Sequence, residues 1–172
     1  MKNNIILAGG CFWGVEAYFA QLKGVLKVYS VYVNGNKENP TYKEVCEGIA
    51  THAEAIYLEY DDSIIQTNKV LEHFFRIIDP TSLNKQGNDI GIQYRSGIYY
   101  FDNNTHQTIL NYINQIKDNY LKPILVEVEE VKNYYKAESY HQNYLANNPG
   151  GYCHINLNLA REDEKRWKEL II

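Results

Sequence analysis

Methionine is almost missing from this chain: among 172 residues there is one, the initiator Met1, so no internal thioether is offered to oxidants. Cysteine is scarce as well. The three thiols, Cys11, Cys46 and Cys153, form no Cys-x-x-Cys pair and no zinc-finger spacing, so no metal site is expected. Their odd number points to reactive or buried thiols in a reducing compartment rather than to a disulfide framework. Positive charge is also in short supply: 17 Lys and Arg against 21 Asp and Glu give a net charge of −4, with a pI near 5.7. Without a basic block to neutralise phosphates, a nucleic-acid partner is not expected. No apolar run approaches the roughly 20 residues that span a bilayer. The opening Met1-Lys2-Asn3-Asn4 with its short apolar run is too brief for a signal peptide, so a cytoplasmic location away from membranes is the expectation. Repeats, low-complexity tracts and Pro/Gly/Ser-rich linkers are lacking too, and residues 1–172 read as a single domain.

What is present is an ordinary globular composition, 45% hydrophobic and 22% charged, sufficient for a sizeable core at this length. The apolar pattern predicts a strand at 4–8 and a helix at 13–23, in which Val15, Phe19 and Leu22 repeat at helical spacing. A β-branched, tyrosine-rich strand follows at 25–33, and the capping-box pair Thr41 and Glu44 opens a short helix ending near Gly48. Next come a strand at 53–60 and a helix at 69–78 with Val70, Leu71, Phe74 and Ile78 on one side. Beyond a long connection at 79–95 the pattern gives a strand at 96–101, a helix at 105–120 and a strand at 124–131. This order is β-α-β, then β-α-β with an added strand. It predicts an α+β fold, a two-layer sandwich on the ferredoxin-like split βαβ plan with a mixed, mostly antiparallel sheet. The last forty residues are less periodic, with a helix expected at 137–146, a Pro-Gly-Gly loop through Cys153 and a charged helix around 161–170.

Cys11 carries the clearest chemical signal. It lies in Gly-Gly-Cys-Phe-Trp-Gly at 9–14, after Ile5-Ile6-Leu7-Ala8 and before the amphipathic stretch 15–22, where a buried strand turns into a helix. Unpaired N–H groups and the helix dipole favour a thiolate at such a point, so a lowered thiol pKa is expected. Phe12 and Trp13 supply apolar surface beside the sulfur. Glu54 shares a strand face with Ile56, Leu58 and Tyr60, which would bury its carboxyl and raise its pKa. A register shifted by one residue would instead leave it facing water. His52 reads as a loop histidine. In the long connection Asp89 and Tyr94 are candidate site groups or plain turn chemistry, and Tyr42 is ambiguous between surface and site. Cys153 sits on a loop able to reach another sulfur or stand idle, while Cys46, between Val45 and Ile49, reads as packing. From these residues alone, three functions remain open: thiol redox chemistry, acyl transfer by Cys11 with His52 or His141 as base, and peptide binding in an aromatic pocket.

Several motifs in order give the chain a close resemblance to the peptide methionine sulfoxide reductase A family: Gly-Gly-Cys-Phe-Trp-Gly at 9–14, Asn-Pro-Thr-Tyr at 39–42, His-Ala-Glu-Ala at 52–55, Gln-Gly-Asn-Asp-Ile-Gly at 86–91, Gln-Tyr-Arg-Ser at 93–96, Tyr-His-Gln-Asn-Tyr-Leu at 140–145 and Gly-Tyr-Cys at 151–153. The resemblance implies thiol-dependent reduction of the S epimer of methionine sulfoxide, free or in oxidised proteins, by a monomer without bound cofactor and with thioredoxin as final reductant. Carried over by position, Cys11 matches the nucleophile, Glu54 the acid that protonates the sulfoxide oxygen, Tyr42 and Tyr94 assisting phenols and Asp89 a residue that orders the site. Phe12 and Trp13 match the methyl pocket, and Cys153 the thiol that turns a Cys11 sulfenic acid into a disulfide. Val31 and Thr51 depart from the glycines common at those places.

Overall fold

Four consecutive residues, Ile5 to Ala8, have no solvent exposure at all, which a strand shows only when both faces of its sheet are covered. They end β1 (Lys2–Ala8), the centre of a six-stranded sheet. The structure, a computed structural model, describes residues 1–166. After β1 come α1 (Phe12–Ala20), β2 (Val25–Val33), α2 (Tyr42–Cys46), β3 (Ala53–Asp61) and α3 (Thr67–Ile77). A small hairpin of β4 (Lys85–Gln86) and β5 (Asp89–Ile90) precedes β6 (Gly97–Tyr100), α4 (Asn103–Ile116), β7 (Glu127–Glu130), β8 (Tyr134–Lys136) and α5 (Tyr144–Asn147).

The strand order is β7-β6-β1-β3-β2-β8, antiparallel throughout except for the parallel pair β6 and β7. β3 therefore lies between β1 and β2, the strands joined by α1, and β1 lies between β3 and β6. That is the expected split βαβ arrangement of an α+β fold. Strand alternation sorts side chains into two clusters. Ile5, Leu7, Tyr32, Ile56, Leu58 and Ile98 pack with α1, α3 and α4, whereas Ile6, Ala8, Val31, Val33, Ala55 and Tyr99 cover the opposite face.

The departures from the expected elements have local causes. α1 ends three residues early because Leu22 leaves it to bridge Lys165, ahead of Gly24 at φ +88°. The connection 79–95 contains the β4–β5 hairpin, held by buried Gln86: its amide bonds Asp79 through both O and N and donates to Ser96 Oγ at 2.9 Å. No helix spans 137–146; β8 pairs with β2 just before it, a single 3-10 turn covers Ser139–His141, and only α5 is helical. Of the charged helix expected around 161–170, the described part, 161–166, holds a 3-10 turn at Glu162–Glu164, and 167–170 lie outside the described residues. That turn is clamped by Glu164, whose carboxylate bonds Arg76 at 2.7 Å and Lys69 at 3.0 Å. No helix among the described residues is long and apolar enough to cross a membrane.

Phe74 on α3 is fully buried, and a Cβ on Gly9 would stand 3.4 Å from its ring, so this side chain supports the turn before Cys11. Phe74→Ala is expected to cost about 3–5 kcal/mol in urea denaturation, because the cavity it leaves is walled by rigid strands.

Candidate active site

β1 delivers the chain to Gly9 and Gly10, and the φ of +88° at Gly10 turns it into α1. Cys11 is the N-cap of that helix and its side chain makes no capping hydrogen bond. β3 is the neighbour of β1, so Glu54 comes up under the same turn. It is 1% exposed on the helix side of the sheet, and the Phe12 N–H donates to its Oε1 at 3.3 Å. Its Oε2 is buried without a partner. Burial pushes the Glu54 carboxyl up to about 8, against the pull of the Phe12 N–H and with a small push from Asp89. At neutral pH this group is therefore mostly a protonated acid, and since Oε1 accepts from Phe12, its hydrogen belongs on the unpaired Oε2.

The lowered thiol pKa expected at the helix start is not found. Burial drives the Cys11 thiol well above its usual range, the nearby Glu54 charge adds to this, and the Trp13 N–H, which favours the thiolate, does not offset them. Desolvation outweighs the dipole because the sulfur is only 8% exposed. The resting site thus holds a neutral thiol beside a neutral acid.

The other expected residues gather around this pair to different degrees. Tyr42, the first residue of α2, and Tyr94, at the end of a 3-10 turn over Ile92–Tyr94, are half-buried. Both phenols are raised far beyond deprotonation, first by burial and then by the Glu54 charge, so both remain hydrogen-bond donors. Arg95 fixes Tyr94 in place by donating to the Ile92 and Thr51 carbonyls at 2.8 and 2.9 Å and pairing with Glu127. Asp89, on β5, acts on Cys11 and Glu54 through its charge and accepts from Tyr152 Oη at 3.2 Å. Phe12 is fully buried against Tyr32 and His141. Trp13 is half-buried, stacked on Tyr144 with centroids 3.7 Å apart. Cys153 is a free, partly buried thiol that donates to the Ile155 carbonyl at 3.2 Å. Cys46 is corrected: α2 buries Val45, and Cys46 next to it is exposed. His52 is a loop histidine, as expected, immediately before β3, and is fully buried against Gly35.

Several positioning residues escaped the sequence reading. Glu16 of α1 is buried and accepts from Ser30 Oγ and the Asn143 N–H; it holds Asn143 at φ 52°, from which α5 places Tyr144 on Trp13. Glu138 accepts from Tyr32 Oη at 2.7 Å and the Tyr42 N–H at 2.9 Å, tying α2 to β2. His141 packs on Phe12 and Tyr42, and its Nδ1 accepts from Trp13 Nε1 at 3.0 Å. The motif at 140–145 marked this stretch, but nothing in it told which residue each side chain would meet. His52 has no partner on either ring nitrogen and His141 bonds only Trp13, so neither is hydrogen-bonded to Cys11 as an acyl-transfer base would be. Among the described residues, no group of three or more His, Cys, Asp or Glu is placed to hold a metal ion.

The raised Glu54 pKa has a consequence for stability. Between about pH 4.5 and 8 the unfolded chain releases this proton and the folded one keeps it, so Glu54 takes stability away as pH rises through that window. Glu54→Gln is expected to be more stable than the parent, with a gain that grows from pH 5 to pH 8 and reaches on the order of 3–5 kcal/mol in denaturation titrations at each pH.

A sequence profile of the family described as Peptide methionine sulfoxide reductase matches residues 3–170. A protein named Peptide methionine sulfoxide reductase MsrA, from Clostridium botulinum (strain Loch Maree / Type A3), is 56% identical over 155 residues, covering 90% of this chain and 99% of its own. Among solved structures, reduced Mxr1 from Saccharomyces cerevisiae superposes with a TM-score of 0.84 at 36% identity, covering 88% of both chains. Mxr1 in complex with Trx2 superposes at 0.60 and 24% identity over 83% of this chain and 84% of its own, a likeness of fold. This chain belongs to the peptide methionine sulfoxide reductase A family, oxidoreductases that return methionine sulfoxide to methionine.

Proposed function

We propose that Cys11 takes the sulfoxide oxygen while Glu54 acts as the acid on it. What chiefly supports this is the Glu54 carboxyl: kept neutral by burial, anchored by the Phe12 N–H and left with one unpaired oxygen beside the thiol. A sulfoxide sulfur becomes electrophilic when its oxygen is protonated or hydrogen-bonded. Glu54 supplies that proton, with the neutral phenols of Tyr42 and Tyr94 as further donors. Because the resting thiol is neutral, it becomes nucleophilic only as its proton leaves, and that proton restores the Glu54 acid as the carboxyl gives its own to the sulfoxide oxygen. The Cys11 sulfur loses two electrons and gains the oxygen, the substrate sulfur gains two electrons, and the products are methionine and a Cys11 sulfenic acid. Phe12 and Trp13 receive the S-methyl group, and Asp89, through Tyr152, orders the rim of the site. A cleft of about 340 Å³ runs from Trp13 along α1 to α5, giving a polypeptide room beside the indole, so oxidised proteins as well as free methionine sulfoxide are substrates, as the S epimer.

Cys153 then condenses with the sulfenic acid to a disulfide. Thioredoxin is the reductant of that disulfide, a reading supported by the yeast relative having been crystallised with Trx2. The chain works as one domain and a monomer, in the cytoplasm, without a bound cofactor.

One equivalent of methionine S-sulfoxide without reductant is expected to consume two of the three thiols, with Cys46 still open to iodoacetamide in mass mapping. Cys153→Ser should release one equivalent of methionine and then stall with thioredoxin, and Cys11→Ser should release none; release from the latter defeats the assignment. Because the acid form of Glu54 is required, the first-turnover rate should fall as pH climbs through about 8. Glu54→Gln should lose this alkaline limb and on the order of a hundredfold or more in rate at pH 7.

A further inference from the structure

Next to the groups assigned above lies a buried ring atom with nothing to bind. His154, the residue after Cys153, sets its ring into the turn that opens α1, with Nε2 2.9 Å from the Gly9 carbonyl oxygen. A carbonyl only accepts, so Nε2 carries the hydrogen, and in the neutral ring Nδ1 then holds a lone pair. Nδ1 is buried and has no partner. Two glycines make the place: a Cβ on Gly10 would stand 2.8 Å from Nε2, and one on Gly14 would stand 3.1 Å from Cys153 Sγ and 3.5 Å from His154 Nδ1. The Cys153 sulfur and the His154 Nδ1 therefore border the same point over the first turn of α1, beside Gly14, three residues on from Cys11. The present acceptor of the thiol, the Ile155 carbonyl, can hold a hydrogen but cannot carry a proton away.

We propose that His154 Nδ1 is the general base of the disulfide-forming step, a role that rests on the assignments of Cys11 and Cys153 made above. The Cys153 thiol gives its proton to Nδ1 as Sγ attacks the Cys11 sulfenic sulfur. An S–S bond forms, the S–O bond breaks with its electron pair, and the departing hydroxide takes the proton from the imidazolium and leaves as water. One thiol and one sulfenic acid give one disulfide and one water, with no outside oxidant. An imidazole suits the task because it exchanges protons near neutral pH. The titratable groups around the ring are Cys153 and Tyr152 on its own loop, Cys11 at the start of α1 and Asp89, reached through Tyr152; Gln86 from β4 is uncharged.

His154→Gln discriminates between base and scaffold, since its amide keeps a donor for the Gly9 carbonyl but puts no base at the Nδ1 position. Reduced protein is mixed with one equivalent of methionine S-sulfoxide in the absence of reductant, and methionine release and disulfide formation are followed by rapid quench from pH 6 to 9.5. Methionine release should match the parent. Disulfide formation should slow by about tenfold or more at pH 7 and converge with the parent at high pH, where a thiol ionises unaided. Added imidazole should speed the step in His154→Ala. Parental rates of disulfide formation at pH 7, or a slowing equal at every pH, overturn the proposal. A parent protein that releases no methionine overturns the Cys11 assignment beneath it instead.

Discussion

The constraint on which this site depends is the cost of charge in its interior. Glu54 is placed by β3 under the first turn of α1, where an ionised carboxylate lacks solvent and meets one backbone donor. The protein resolves this by keeping the proton. Once Glu54 is neutral, the rest follows the same logic: a thiol that does not ionise at rest and two phenols that remain donors. Apart from the charge of Asp89, a site built this way has little field of its own. It acquires polarity from the S=O dipole of what enters, which suits chemistry whose first need is a proton on oxygen.

Much of this was legible in the sequence, and the reasons differ by residue. Cys11 was legible because a strand, two glycines and a helix must place their junction residue at a helix N-terminus. Glu54 was legible because alternation along Ala53–Asp61 admits two faces, and the apolar residues choose one. Thr41 and Glu44 announced α2, and both bonds of the capping box are made.

What escaped depends on contacts between distant parts of the chain. The dipole argument for Cys11 was sound locally and lost to burial, which only the folded chain reveals. The carboxylate of Glu16 meets the Asn143 N–H, Trp13 meets His141, and His154 reaches Gly9, pairs 127, 128 and 145 residues apart. β8 is too short and too polar to show a strand pattern, and α1 ends just before Leu22, which pairs with a residue 143 positions further on. Propensity speaks for neighbours, and these features belong to none.

The sheet closes at both margins with short, charged strands: Glu127-Val128-Glu129-Glu130 on one side and Tyr134-Tyr135-Lys136 on the other. Free margins of a sheet invite extended chains to join by backbone pairing. Carboxylates at one margin and a three-residue stub at the other keep extended chains from adding themselves as a seventh strand.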